Sequence, residues 1–187
     1  AGVQRFRYAD TLGVLDPFAA FETISWLRGQ TELEIEFHGH DDYGLATANT
    51  LAALRAGADV ASVTVLGLGE RAGNAPLEEL ALAAPRFLGC ESGVDLRRLA
   101  SLARAVALAS GRFIPEGKAV VGSAVFCHES GIHVSGLLRD ANTYEAMNPT
   151  HLGREREIVF GKHSGRAAIN HALERLGVNA TEGVATQ

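Results

Sequence analysis

Thiol chemistry is nearly missing from this chain: Cys90 and Cys127 are the only cysteines in 187 residues. They lie too far apart in sequence for a zinc ribbon and are too few for a disulfide framework, so a reducing, cytoplasmic setting is expected. Positive charge is also in short supply. Lys and Arg number 17 against 22 Asp and Glu, the net charge is −5, and the longest basic run is Arg97-Arg98. Nucleic acid is therefore not an expected partner. No apolar run has the length of a bilayer span and no secretory signal opens the chain, so no membrane association is expected either. With 47% hydrophobic and 21% charged residues, what remains is the composition of a soluble globular protein.

Within that composition one stretch stands out, Glu34 to Gly44 (Glu-Ile-Glu-Phe-His-Gly-His-Asp-Asp-Tyr-Gly). At period two, Leu33, Ile35 and Phe37 point one way and Glu34, Glu36, His38 and His40 the other, which predicts a strand with one apolar and one polar face. Two imidazoles at i and i+2 can reach one metal ion together; equally, they can simply face water. Before this stretch come a short strand, Arg5–Ala9, and a helix opened by Asp16 and Pro17 and closed by Gly29. After it come an alanine-rich helix ending at Gly57, a strand expected over Val60–Leu66, and a glycine-rich loop, Gly67 to Asn74. A helix carrying Leu77, Leu80, Leu82 and Phe87 follows, and then an amphipathic helix capped by Asp95.

Strand–helix repeated three times with short loops predicts parallel strands with helical crossovers. Three units alone leave two unpaired edges and a poorly covered face, with Val63, Val65, Leu33 and Phe37 expected in an exposed apolar patch. A whole (β/α)8 barrel takes about 250 residues. The expected fold is therefore α/β: the last three βα units of a partial TIM barrel over 1–112, then a mainly helical accessory subdomain over 113–187.

In a barrel all strand-to-helix loops emerge on one rim, where such folds carry chemistry. That brings together Thr11, the His38–Asp42 loop and the Gly67–Asn74 loop. Each has a plainer role available: Thr11 as a turn residue, Asn74 as a helix N-cap, and the glycines as a bent loop.

Ala9-Asp10-Thr11-Leu12-Gly13, the run His38-Gly39-His40-Asp41-Asp42-Tyr43-Gly44 and Gly67-Leu68-Gly69-Glu70-Arg71-Ala72-Gly73-Asn74 resemble the homocitrate and 2-isopropylmalate synthases. The resemblance continues through Glu129-Ser130-Gly131-Ile132-His133, Thr143-Tyr144-Glu145 and Gly161-Lys162-His163-Ser164-Gly165. The run Thr47 to Ala53 is most similar to the nitrogen-fixation type of homocitrate synthase. The resemblance implies a metal-dependent Claisen condensation of acetyl-CoA with a 2-oxo acid, 2-oxoglutarate or the 2-oxoisovalerate of the isopropylmalate synthases, in a homodimer. It further implies a divalent ion (Mg, Mn, Zn or Co) on His38 and His40 with Asn74 as a weaker contact. Thr11 would hold the substrate carboxylate, and His133 and Tyr144 would be catalytic. Glu129, four residues before His133, could orient its ring, although Gly131 between them weakens a helical reading. The family's first-strand Asp has no counterpart here, so a chain of this extent is expected to be inactive alone. Two readings compete: a metal-dependent hydrolase, which would need further metal-binding residues on later strands, and a non-catalytic dimerisation module.

Overall fold

The computed structural model describes residues 2–128 and 146–159, together with the single positions 136 and 173. Two compact units make up the chain, Ala1–Ile114 with Ala119–Val121, and Pro115–Lys118 with Gly122–Gln187.

In the first unit β1 (Arg5–Asp10), β2 (Glu34–Gly39) and β3 (Val60–Ser62) form a parallel sheet in the order β1-β2-β3. Arg5 pairs with Glu34 and Asp10 with Gly39 in register, and Glu36 pairs with Val60 and His38 with Ser62. The crossovers are α1 (Pro17–Arg28) and α2 (Ala46–Arg55); α3 (Leu77–Leu88) and α4 (Leu99–Ser110) follow the sheet. Asp16 opens α1 as its local sequence requires: its carboxylate accepts the Phe18 and Ala19 N–H groups, and Pro17 sits where no N–H is needed.

The sheet has two unlike faces. Ile35 and Phe37 are wholly buried beneath Ala20 and Ile24 of α1 and Ala53 of α2, and Tyr8 stacks on Phe37 with centroids 6.1 Å apart. Ala46, Ala75 and Leu80 form a second small cluster. The opposite face carries Arg5, Arg7, Glu34 and Glu36, with Arg7 Nη2 2.7 Å from Glu36 Oε1.

The structure corrects two sequence expectations here. The third strand is not Val60–Leu66 but only Val60–Ser62. Thr64 N–H is drawn to the Ala75 carbonyl and Leu66 N–H to the Glu78 carboxylate, so the chain leaves the sheet and Leu66 turns left-handed at φ 59°. Nor do Leu33, Phe37, Val63 and Val65 form an exposed patch, because Phe37 is buried by the helices and the other three are half-buried.

Within the second unit β4 (Cys127–His128) and β5 (Glu157–Ile158) pair in parallel. Arg154 donates to the Gly122 carbonyl at 2.7 Å, and its guanidinium lies 5.0 Å from the Phe126 ring centre. No helix among the described residues is long and apolar enough to cross a membrane.

Candidate metal centre

Period-two geometry on β2 sends His38 to the polar face of the sheet. Because β2 pairs in register with β3, Ser62 lies beside it. Ser62 Oγ is 3.2 Å from His38 Nδ1, so with the proton on Nδ1 the ring donates to Ser62 and keeps the Nε2 lone pair. That Nε2 lies 3.2 Å from His40 Nε2, the rings standing edge to face. Burial, then the neighbouring His40 and Arg7, push the His38 pKa down against an opposing pull from Glu36. Neutral imidazole is the form that ligates.

The pair fits a divalent ion. Two ring nitrogens 3.2 Å apart are close enough for one divalent ion to be shared between them, which would take a lone pair from each. A third donor stands close in the fold. Asn74 forms an isolated antiparallel bridge with His40, and its buried Oδ1 has no hydrogen-bond partner among the described residues. Such an orphaned acceptor suits an electrophile. No group of three or more His, Cys, Asp and Glu capable of holding a metal occurs among the described residues, so this set is two imidazoles and an amide oxygen.

Asn74 is not the helix cap its neighbours suggest. Helix α3 starts at Leu77, whose N–H donates to the Thr64 carbonyl, and no side chain caps it. Asn74 Nδ2 instead donates to the Leu68 carbonyl at 3.0 Å, bending the glycine loop back on itself. The bend depends on Gly73, where φ is 100° and a Cβ would overlap the Gly67 carbonyl.

Thr11 is exposed in the turn after β1. The turn is pinned by the Asp10 carboxylate, which accepts the Val14 and Leu15 N–H groups at 3.0 Å each, and by Asn49, which donates to the Leu15 carbonyl at 2.7 Å. His40 N–H reaches the Asp10 carbonyl and Asp41 N–H the Gly73 carbonyl, so the three loops share one end of the sheet. Sequence reasoning missed Ser62, Arg71 and the role of Asp10. Ser62 and Thr64 alternate after Val60 as His38 and His40 do on β2, and that was the available signal. The Arg71 guanidinium holds the Asp42 carboxyl below the usual carboxylate range. Glu129, His133 and Tyr144 lie outside the described residues.

The HMGL-like family model matches residues 1–106, and the one described as homocitrate synthase post-HMGL domain-like matches 120–187. The chain is 49% identical over 182 residues to 2-isopropylmalate synthase 2 of Caldanaerobacter subterraneus, covering 97% of this chain and 47% of that protein. To the homocitrate synthase of Frankia alni it is 52% identical over 176 residues, covering 94% and 50%. The chain thus spans about half the length of the curated relatives it matches. Among solved structures, HMG-CoA lyase of Bacillus subtilis matches with a TM-score of 0.55 and 26% identity, over 61% of this chain and 40% of that one. The HMG-CoA lyase of Acinetobacter baumannii, solved with coenzyme A and 3-methylmalate, matches at 0.52 and 27%, over 58% and 38%. With the parallel order β1-β2-β3, these likenesses make the first unit an α/β fold and a part of a TIM-type barrel.

Proposed function

The chain belongs to the HMGL-like family, and on that premise we propose that it is part of an acyltransferase joining acetyl-CoA to a 2-oxo acid. The observation that carries this reading is the His38–His40 pair, Nε2 to Nε2 at 3.2 Å, with Ser62 Oγ 3.2 Å from His38 Nδ1. Enzymes of this family typically depend on a divalent metal. His38 and His40 would hold it, with Asn74 Oδ1 beside them. When bound, such an ion acts as a Lewis acid toward a chelated carbonyl and carboxylate.

The chain's own residues do the rest. Thr11 binds the oxo-acid carboxylate. We assign His133 as the base that takes a methyl proton from acetyl-CoA, with Glu129 and Tyr144 as the other catalytic residues. The carbanion so formed makes a C–C bond to the ketone carbon, whose oxygen is then protonated, and water cleaves the thioester to release CoA. The oxo acid we assign is 2-oxoglutarate, giving homocitrate, with the nitrogen-fixation type favoured by Thr47–Ala53. The 49% identity to an isopropylmalate synthase favours 2-oxoisovalerate as the second reading. Residues 1–112 would supply the metal centre and 113–187 the base, within a homodimer in the cytoplasm.

Two measurements test this. Zinc or manganese titrated calorimetrically into the chain should show weak binding that His38→Ala abolishes; indistinguishable isotherms would remove the pair from any metal site. In the full-length enzyme, His133→Ala should lower kcat by roughly 10²-fold or more while oxo-acid affinity stays nearly constant. Failure of the full-length protein to turn over acetyl-CoA with either oxo acid would sink the whole reading.

A further inference from the structure

One side chain ties together all three loops at the C-terminal end of the sheet. Arg71 donates from Nε to Asp42 Oδ1 at 2.8 Å and from Nη2 to Asp42 Oδ2 at 3.0 Å, a fork on both oxygens. Nη2 also donates to the Thr11 carbonyl at 2.7 Å. Thr11 follows β1, Asp42 lies two residues beyond His40, and Arg71 stands three residues before Asn74. Its backbone is left-handed, at φ 54°, a conformation that residues other than glycine keep mainly where their surroundings hold them.

We propose that Arg71 is a positioning residue for the oxo-acid site, setting the Thr11 peptide at a fixed distance from the loop that carries His40. This rests on the condensing-enzyme reading above. The contact adds something that the fold does not otherwise supply. Neighbouring loops are already joined through their backbones, His40 N–H to the Asp10 carbonyl and Ala75 N–H to the Gly39 carbonyl. Because β1 and β3 flank β2 and never pair, the first and third loops have no shared ladder. Arg71 reaches over the middle strand to join them.

Little stability is at stake in that contact, since the Arg71 side chain is 40% exposed and an exposed ion pair contributes little. What the contact provides is geometry. The carboxylate that Thr11 would bind and the carbonyl that the histidine centre would polarise belong to one small substrate, so a shift of one loop against the other misaligns both. Only a planar fork can meet a carboxylate with two N–H groups and a carbonyl with a third, so lysine is a poor replacement.

The test compares Arg71→Ala, Arg71→Lys and Asp42→Asn with the wild type in the full-length enzyme. Arg71→Ala should raise KM for the oxo acid about tenfold or more, with KM for acetyl-CoA within about twofold and the melting temperature nearly unchanged. Arg71→Lys should be nearly as impaired, and Asp42→Asn intermediate. An unchanged oxo-acid KM in an active enzyme overturns the inference, as does an equal rise in both KM values with a large fall in melting temperature. Should Arg71→Ala fail to fold, the Lys and Asn variants carry the same comparison. A wild type that condenses acetyl-CoA with no 2-oxo acid instead defeats the condensing reading and this inference with it.

Discussion

The two ends of the three-stranded sheet are each closed by an arginine, and the two arginines are used differently. At the N-terminal end Arg28 donates to the carbonyls of Thr31 (2.7 Å), Gly57 (3.4 Å) and Leu33, and to the Asp59 carboxylate at 2.8 Å. Asp59 in turn accepts the Ile35 N–H. None of that cluster's side-chain polar atoms is buried without a partner among the described residues. At the C-terminal end Arg71 holds loops instead of strand ends, from a left-handed backbone, and His40 Nδ1, Thr64 Oγ1 and Asn74 Oδ1 are buried without partners among the described residues. One end is satisfied and the other keeps spare bonding capacity, as expected where a barrel-type fold separates its stability from its chemistry.

The comparison breaks most visibly at Arg28. Arg28→Ala strips the donor from three carbonyls and leaves Asp59 with only a backbone N–H, so a loss of about 2–3 kcal/mol of stability is expected. Zinc affinity at the histidine pair should not move. Urea denaturation and calorimetry on the same sample check both halves. A variant as stable as the wild type, or one that loses metal affinity while still folded, would erase the division between the two ends.

Part of this contrast is legible in the amino-acid sequence alone. Asp16-Pro17 marks a helix start by local chemistry, and the alternation Ile35-Phe37 against His38-His40 needs only the pleat of a strand. The parallel α/β order follows from three such units in series. The parts that mislead depend on distant partners. Thr64, Val65 and Leu66 are good strand residues, yet the Ala75 carbonyl and the Glu78 carboxylate pull them off the sheet. Asn74 before Ala75-Pro76 reads as a cap until the glycine loop needs its amide for Leu68. Phe37 loses its expected exposure because α1 and α2 close over it. Arg71 has no local signature at all, since its partners are 29 and 60 residues away.

A smaller effect should come from Ser62. Its hydroxyl is the partner of His38 Nδ1, and groups that fix the tautomer of a ligating histidine typically contribute 10–100-fold in metal affinity. Ser62→Ala should therefore weaken zinc binding by about that factor while changing stability by less than about 1 kcal/mol. Ser62→Thr, which keeps the hydroxyl, should recover most of the affinity. Equal affinities for wild type and Ser62→Ala would show that the tautomer is set elsewhere.

The smallest effect is expected midway between the two ends, at Arg7. It bonds Glu36 through Nε at 3.0 Å and Nη2 at 2.7 Å, while Arg5 lies 3.8 Å from the other Glu36 oxygen. The Arg7 side chain is 55% exposed and that of Glu36 13%, so water screens the pair from the arginine end, and Arg5 remains to serve Glu36. Arg7→Gln should then cost less than about 1 kcal/mol in the 187-residue chain, and added salt should shrink the cost further. The same face would turn inward in a complete barrel. There the pair loses the water that reaches Arg7, and removing the arginine should cost about 3–5 kcal/mol in the full-length protein. Measuring the substitution in both contexts separates the two cases. Equal small costs in both would mean that this face stays wet in the whole molecule, and that the polar side of β2 is not the lining of a closed barrel.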